Sequence, residues 1–352
     1  MAINHEFWKG KRVLLTGHTG FKGGWLSLWL QTLGVNLHGL SLDPPTQPNL
    51  YTFAKIAHDM SSTIGDIRNF DLVNQVFKKF RPEIVIHMAA QPLVLHSYRE
   101  PLETYSTNLM GTVHILESVR LSNSVRILVN VTTDKCYENR EWVWGYREDE
   151  PMGGADPYSN SKGCAELATS AYRQSFFSKA GIGIASVRAG NVIGGGDWAL
   201  NRLIPDILRS FEQKKPVIIR NPNSIRPWQH VLEPLSGYLR LAELLWEDPL
   251  RYSGGWNFGP HDDDAKTVLS IVEYMVKKWG NGAEWIQESS SLHEASYLKL
   301  DISKSRNYIG WNPRWSLEKA LDSTIDWYKS YIEKGNLRLK TVSQIEEFLK
   351  KD

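Results

Sequence analysis

Strand-length apolar runs alternate with helical periods through the first half of the chain. RVLLTG (residues 12–17) ends in a glycine turn, and KGGWLSLWLQTLG (residues 22–34) follows as an apolar helix closed by Gly34. VNLHGLSLD (residues 35–43) reads as a second strand, stopped by Pro44 and Pro45. PEIVIHMAA (residues 82–90) and VRILVNVTT (residues 125–133) read as two more. Between them, TYSTNLMGTVHILESVRL (residues 104–121) has helical spacing. A further helix is expected from near Pro157 through SKGCAELATSAYRQSFFSKAG (residues 161–181), then a strand in GIGIASVRAGNV (residues 181–192). Strands separated by helices of this length predict an α/β fold with a doubly wound parallel sheet and right-handed crossovers.

Beyond residue 192 the rhythm breaks. GGGDW (residues 194–198), NPNS (residues 221–224) and SGG (residues 253–255) read as loops between short strands. Residues 191–231 and 261–352 are therefore assigned to a smaller α+β lobe, in the place where a substrate-binding lobe is expected if the first domain holds a cofactor. Residues 1–190 and 232–260 form the first, dinucleotide-binding domain, with GGWNFG (residues 254–259) returning a strand to it. The tail from about residue 335 reads as a surface helix of little chemical consequence.

Composition narrows the class. A chain of 352 residues exceeds one comfortable core, and 41% hydrophobic with 23% charged residues is ordinary for a soluble enzyme. No apolar run approaches a membrane span, and MAINHEFWKGKR has no apolar secretion core. Cys136 and Cys164 are too few for a disulfide framework, so a reducing, cytoplasmic setting is expected. A net charge of +2 without a basic block argues against nucleic acid.

Gly17, Gly20 and Gly23 form GxxGxxG between the first strand and its helix. Glycines there let backbone N–H groups approach a pyrophosphate, which the helix N-terminus also favours. The pattern is weak alone; its place gives it weight and points to a Rossmann-type sheet. Asp43 ends the second strand, where an acid either hydrogen-bonds an adenosine ribose, favouring NAD over NADP, or caps the turn before Pro44. Asp66 in GDIRN either faces the adenine or caps the next helix.

YxxxK occurs at Tyr51, Tyr158 and Tyr274, and about one such match is expected by chance. Only Tyr158 and Lys162 open a helix after a strand ending in Thr132, Thr133, Asp134 and Lys135. At i and i+4 they share a helix face, and a lysine with a nicotinamide cation lowers a phenol toward the range of a useful base.

Together TGHTGFKGG (residues 16–24), HMAAQP (residues 87–92), TNLMGT (residues 107–112), VTTDKCY (residues 131–137), YSNSK (residues 158–162) and RAGNVIGGGD (residues 188–197) resemble the extended short-chain dehydrogenase/reductase superfamily. The chain is most similar to its nucleotide-sugar 4,6-dehydratase branch. GHTGFKGGW, TTDKCYEN and RPWQHV resemble the members that act on CDP-glucose, and the base choice rests on that resemblance alone. The resemblance implies NAD held by Gly17, Thr19, Gly20, Phe21, Lys22, Gly23, Asp43, Asp66, Ile67, Ala89, Ala90, Gln91, Asn108, Thr132, Tyr158 and Lys162. It implies that Tyr158 takes the 4-hydroxyl proton, Thr133 bonds that oxygen, and Lys162 tunes Tyr158. Water then leaves across C5 and C6. An Asp-Glu pair follows this Thr in relatives acting on dTDP-glucose, whereas here it is Asp134 and Lys135. Asp134 keeps the acid role; Lys135 is the C5 base, or serves as an electrostatic or phosphate-side residue.

By the same resemblance, Asn191, Arg202 and Arg226 contact the nucleotide diphosphate, and Gln91, Ser97 and Arg99 line the sugar pocket. Trp228 and His230 either touch the base or pack the lobe interface. The helices at residues 101–121 and 157–180 carry apolar residues on more than one face, and in this family that pair builds a homodimer. No metal is expected. The reading is a lyase making CDP-4-keto-6-deoxy-glucose for deoxysugars of a lipopolysaccharide O-antigen. Its rivals are a nucleotide-sugar 4-epimerase and a catalytically silent NAD-binding scaffold.

Overall fold

The computed structural model describes residues 3–280, 282–288 and 298–350. Its centre is a parallel sheet of β1 (Arg12–Thr16), β2 (Asn36–Ser41), β3 (Ser61–Ile64), β4 (Ile84–His87), β5 (Ile127–Val131), β6 (Gly183–Ala189) and one later strand. Three strands follow outside it: β7 (Asn191–Ile193), β8 (Val217–Ile219) and β9 (Ile225–His230). β10 (Gly254–Phe258) then completes the sheet, in the order β10-β6-β5-β4-β1-β2-β3. The α/β doubly wound, Rossmann-type expectation is the observed architecture.

Alternation along the strands makes both faces apolar. Val13, Leu15, Ile84, Ile86, Ile127 and Val129 enter one core with the helices Phe21–Thr32 and Leu232–Glu247. Leu14, Val85, Leu128 and Ile184 enter a second, beneath Phe70–Phe80 and Gly111–Leu121. A sheet covered on both sides reads as continuous apolar runs, which is why these strands are legible.

β3 is not predicted by the pattern, because three of its four residues are exposed on an edge. The run at residues 181–192 is two strands. Gly190 divides it, and a Cβ there would stand 3.0 Å from Asp134 Oδ2. β7 turns away to pair with β9, which also pairs antiparallel with β11 (Ala265–Thr267); β8 pairs with β12 (Trp285–Gln287). The helix expected over residues 104–121 starts at Pro101 and passes through a π turn at Ser106–Met110. The tail expectation is corrected. Leu337–Leu349 is a helix whose Leu337, Ile345 and Phe348 join the core, with Phe348 edge-on to Trp29 and Trp315. Among the described residues no helix is long and apolar enough to cross a membrane.

Candidate active site

The chain leaves β1 for β2 and β3 on one side, and later strands fill the other. The carboxyl ends beside such a switch open the crevice in which these sheets bind ligands. Thr16, ending β1, accepts hydrogen bonds from Met88 N (3.0 Å) and Ala89 N (3.1 Å). Its hydroxyl lies 2.6 Å from His87 Nδ1, and burial lowers that histidine to about 3, so the ring is neutral and accepts. This joins β1 to β4 at the floor of the crevice.

The three glycines are needed for different reasons. Gly17 has φ +78°, and a Cβ there would stand 2.8 Å from Ala89 N. A Cβ on Gly23 would stand 2.1 Å from Gly17 O. Gly20 is the N-cap of Phe21–Thr32 and supplies no side chain to the helix's first N–H groups. That leaves a cradle with free donors, the fit a dinucleotide pyrophosphate requires. Thr19 Oγ1 donates to Leu42 O at 2.8 Å and lies 2.8 Å from Ser41 Oγ, which ties the loop to the end of β2. Asp43 is the exposed residue just beyond. Phe21 is half-buried at the helix start.

Other expected cofactor residues have partners that change their part. Asp66 is gripped by Arg68 at 2.6 Å, and Asn69, not Asp66, caps the next helix. Ile67 is buried under Gly111. Asn108 Oδ1 accepts from Gln91 N, and its Nδ2 donates to Gln91 O and Ser161 Oγ. That amide therefore braces the loop holding the half-buried Ala89 and Ala90. Gln91 spends its side chain on Thr104 and Leu93 N. Thr132 donates its hydroxyl to Glu166 Oε1 at 2.5 Å.

Asp156 caps the helix Pro157–Tyr172 by accepting from Ser159 N at 3.0 Å, and Pro157 occupies its first turn. Tyr158 and Lys162 follow on one face. Thr133 caps the short turn Asp134–Cys136 beyond β5. Its hydroxyl donates to Asp134 Oδ1 at 3.0 Å, and Lys135 Nζ lies 3.5 Å from the same oxygen. Asp134 is buried while Lys135 is one-third exposed. Burial pushes Tyr158 up to about 12; a hydrogen bond with Thr133 opposes this, Asp134 adds to it, and Arg202 opposes it. Lys162 donates to Val131 O at 3.2 Å and is lowered to about 8 by burial, with Glu166 opposing. The Arg202 charge bears on Tyr158 in the sense expected of a cation beside a phenolate. Lys22 reaches Tyr238 Oη at 3.3 Å, and burial with the Lys162 and Arg202 charges lowers it to about 7. Lys22, Lys162 and Arg202 therefore bring cations close to the buried Asp134, a field suited to a diphosphate.

In the smaller lobe, Asn191 starts β7 opposite Trp228 of β9. Arg202 holds Asp197 at 3.0 Å, and Arg226 donates to Ile225 O. Trp228 is buried in the core. His230 is corrected to a packing residue: it is fully buried between Trp25 and Trp315 and lowered to about 3 by that burial. Ser97 is fully buried with its hydroxyl returned to Val94 O, and Arg99 is exposed at its helix end, so neither is drawn into the cluster around Tyr158. Sequence reasoning missed Glu166, Arg188 and Tyr137; the one available signal was Glu166 four residues beyond Lys162.

A family model described as GDP-mannose 4,6 dehydratase matches residues 14–324. The chain belongs to that family. Within the GDP-mannose 4,6 dehydratase family it is 57% identical to the CDP-glucose 4,6-dehydratase of Salmonella typhimurium, over 99% of this chain and 98% of the relative. A dTDP-glucose 4,6-dehydratase of Xanthomonas campestris is 24% identical over 90% of this chain and 92% of its own. Among solved structures, the dTDP-glucose 4,6-dehydratase of Bacillus anthracis in complex with NAD superposes with a TM-score of 0.76 at 22% identity. That match covers 94% of this chain and 100% of the other. UDP-glucose 4-epimerase of Thermotoga maritima gives 0.78 at 21% identity, covering 91% and 99%. At these identities the structures speak for the fold alone.

Proposed function

We propose that the chain is an NAD-dependent hydro-lyase converting CDP-D-glucose to CDP-4-keto-6-deoxy-D-glucose. The observation that carries the reading is the meeting of Tyr158, Thr133 and the Asp134–Lys135 pair at the end of β5. Identity along the whole chain with the Salmonella enzyme supports CDP-glucose as the substrate. The loop from Gly17 to Gly23 takes the NAD pyrophosphate and Asp43 the adenosine ribose. Bound NAD supplies the reversible two-electron oxidation at C4 and the matching reduction at C6.

The chain's own residues move the protons. Thr133 bonds the 4-oxygen, and Tyr158 accepts the 4-hydroxyl proton. With Tyr158 held near 12 by burial, the phenolate needs cationic support, from Arg202 and from Lys162. A 4-ketone acidifies the C5 proton. Lys135 removes that proton in its neutral form, and protonated Asp134 gives one to the departing 6-hydroxyl. Lys135 is then the ammonium and Asp134 the carboxylate. As C6 is reduced, the Lys135 ammonium returns its proton to C5, and the proton that Tyr158 took from the 4-hydroxyl passes by way of Thr133 to Asp134, so that all three groups are restored. Asn191, Arg202 and Arg226 are assigned to the diphosphate, in a lobe of residues 191–231 and 261–352.

The exposed Leu102, Met110, Leu167 and Phe176 lie on the helices at residues 101–121 and 157–180, which supports a homodimer through that face. The product suits deoxysugar assembly for an O-antigen in the cytoplasm. The test is product mass after incubation with NAD and, separately, CDP-glucose, dTDP-glucose, UDP-glucose and GDP-mannose. Loss of one water from CDP-glucose alone is expected. Unchanged mass with inversion at C4 would replace the reading with a 4-epimerase.

A further inference from the structure

We propose that the buried Glu166–Arg188 pair is a positioning clamp that grips both ends of the segment carrying Thr133, Asp134 and Lys135, in register with the helix of Tyr158 and Lys162. Glu166 lies one turn beyond Lys162 and two beyond Tyr158 on the same helix. Its carboxylate meets Arg188 of β6 through a two-point fork, Nη2–Oε2 at 2.8 Å and Nε–Oε1 at 2.9 Å. Ser186 Oγ also donates to Glu166 Oε2 and Arg188 Nη1 to Glu148 O, and the pair reaches the turn itself at two points. Thr132, the residue before Thr133, donates to Glu166 Oε1 at 2.5 Å. Arg188 Nη1 donates at 2.5 Å to the hydroxyl of Tyr137, two residues after Lys135. Tyr137 in turn donates to Asn257 Oδ1 at 2.8 Å and stacks on Tyr146.

The backbone contacts inside the turn are long, and its far end is also held by Gly153 N donating to Cys136 O at 2.8 Å. Cys136 N reaches Thr133 O only at 3.4 Å, and Lys135 N reaches Thr133 Oγ1 at 3.4 Å. Side chains on such a turn take their position from what anchors its ends. A buried ion pair is a poor source of net stability compared with apolar packing, while a planar fork tolerates no slip along the helix or strand. The fold also makes room for it: a Cβ on Gly255 would stand 2.5 Å from Arg188 Nη2. Tyr158 and Lys162 sit on a well-capped helix, whereas Asp134 and Lys135 sit on a short turn whose place is set by the anchors at its two ends, the grips among them. Loosening the grips therefore harms elimination more than oxidation at C4.

For what is lost, the proposal rests on the dehydration reading; for the clamp, it does not. Thr132→Val and Tyr137→Phe each remove one grip and leave the ion pair intact. Removing Glu166 or Arg188 would strand a buried charge and can prevent folding. In the NAD-loaded protein, each variant is expected to melt within about 2 °C of wild type while amides 133–136 exchange hydrogen about 10-fold faster or more. With CDP-glucose, kcat is expected to fall roughly 10- to 100-fold with KM nearly unchanged, and the near-ultraviolet absorbance of reduced cofactor to build up. Wild-type exchange at residues 133–136, or wild-type kcat, in both folded variants overturns the clamp. So does a kcat loss that only tracks a lowered melting point with no reduced cofactor accumulating. A wild-type protein that dehydrates no nucleotide sugar would sink the functional reading, and the exchange rates would still decide the clamp.

Discussion

Replacing Gly23 by alanine places a methyl carbon 2.1 Å from Gly17 O, 2.8 Å from Gly17 C and 3.0 Å from His18 Cα. All three are backbone atoms, so no side chain can swing aside. Reaching an ordinary contact of 3.4 Å requires the loop and helix to part by about 1.3 Å. That displacement strains the Gly20 N–Gly17 O hydrogen bond, now 3.2 Å, and shifts Gly17 against Ala89. Overpacking of this kind costs about 1–3 kcal/mol, or roughly 1–4 °C in melting temperature for a chain of this length. Gly20→Ala is the contrasting case. Its methyl would meet only Gly17 O, at 3.5 Å, and the residue already has φ −79°. It should leave the cofactor-free melting point unchanged and still weaken NAD, because the methyl stands where backbone must approach pyrophosphate. Differential scanning fluorimetry without cofactor, paired with calorimetric NAD titration, separates the two. Equal melting points for wild type and Gly23→Ala, or equal destabilisation by both substitutions, would refute the assignment of distinct duties to these glycines.

Tyr158→Phe should lower kcat by about 10²- to 10⁴-fold while most of the calorimetric NAD affinity is retained, since the substitution removes the proton-carrying hydroxyl and keeps the ring. Lys22 is lowered to about 7 against 10.5 when unfolded, so between those values the unfolded chain binds the extra proton and stability from this group rises with pH. Lys22→Met should therefore raise the cofactor-free melting point most below pH 7, with the gain fading toward pH 10.5; a gain independent of pH would contradict the buried-charge account. The paired substitution Leu102→Glu and Leu167→Glu, at sites 85% and 60% exposed, should convert a dimer to monomers in sedimentation without lowering the melting point of the monomer unit. An unchanged sedimentation coefficient would move the interface elsewhere.

Local order carried most of what could be read from the chain. Strands buried on both faces must be apolar throughout, so β1, β4, β5 and β6 announce themselves, and so do the glycine loop and the Tyr158–Lys162 spacing that follow strand ends. β3 stayed hidden because an exposed edge strand needs no apolar residues. The tail was misjudged because its buried face only has meaning once Trp29 and Trp315 are seen to be waiting for Phe348. His230 and Ser97 show the same limit: residue type and motif cannot say whether a polar side chain faces a pocket or is sealed beneath tryptophans. The sequence by itself determined the buried strands of the sheet and the glycine loop that follows β1, since these follow from periodicity and spacing within one segment; the acid–base roles of Asp134 and Lys135 rest on family resemblance. Only the tertiary structure decided that Arg202 bears on Tyr158, that Lys22 lies within the field of Lys162 and Arg202, and that Glu166 and Arg188 brace the turn after β5. Those relations join residues far apart in the chain, and their energies depend on distance and desolvation, which no linear pattern contains.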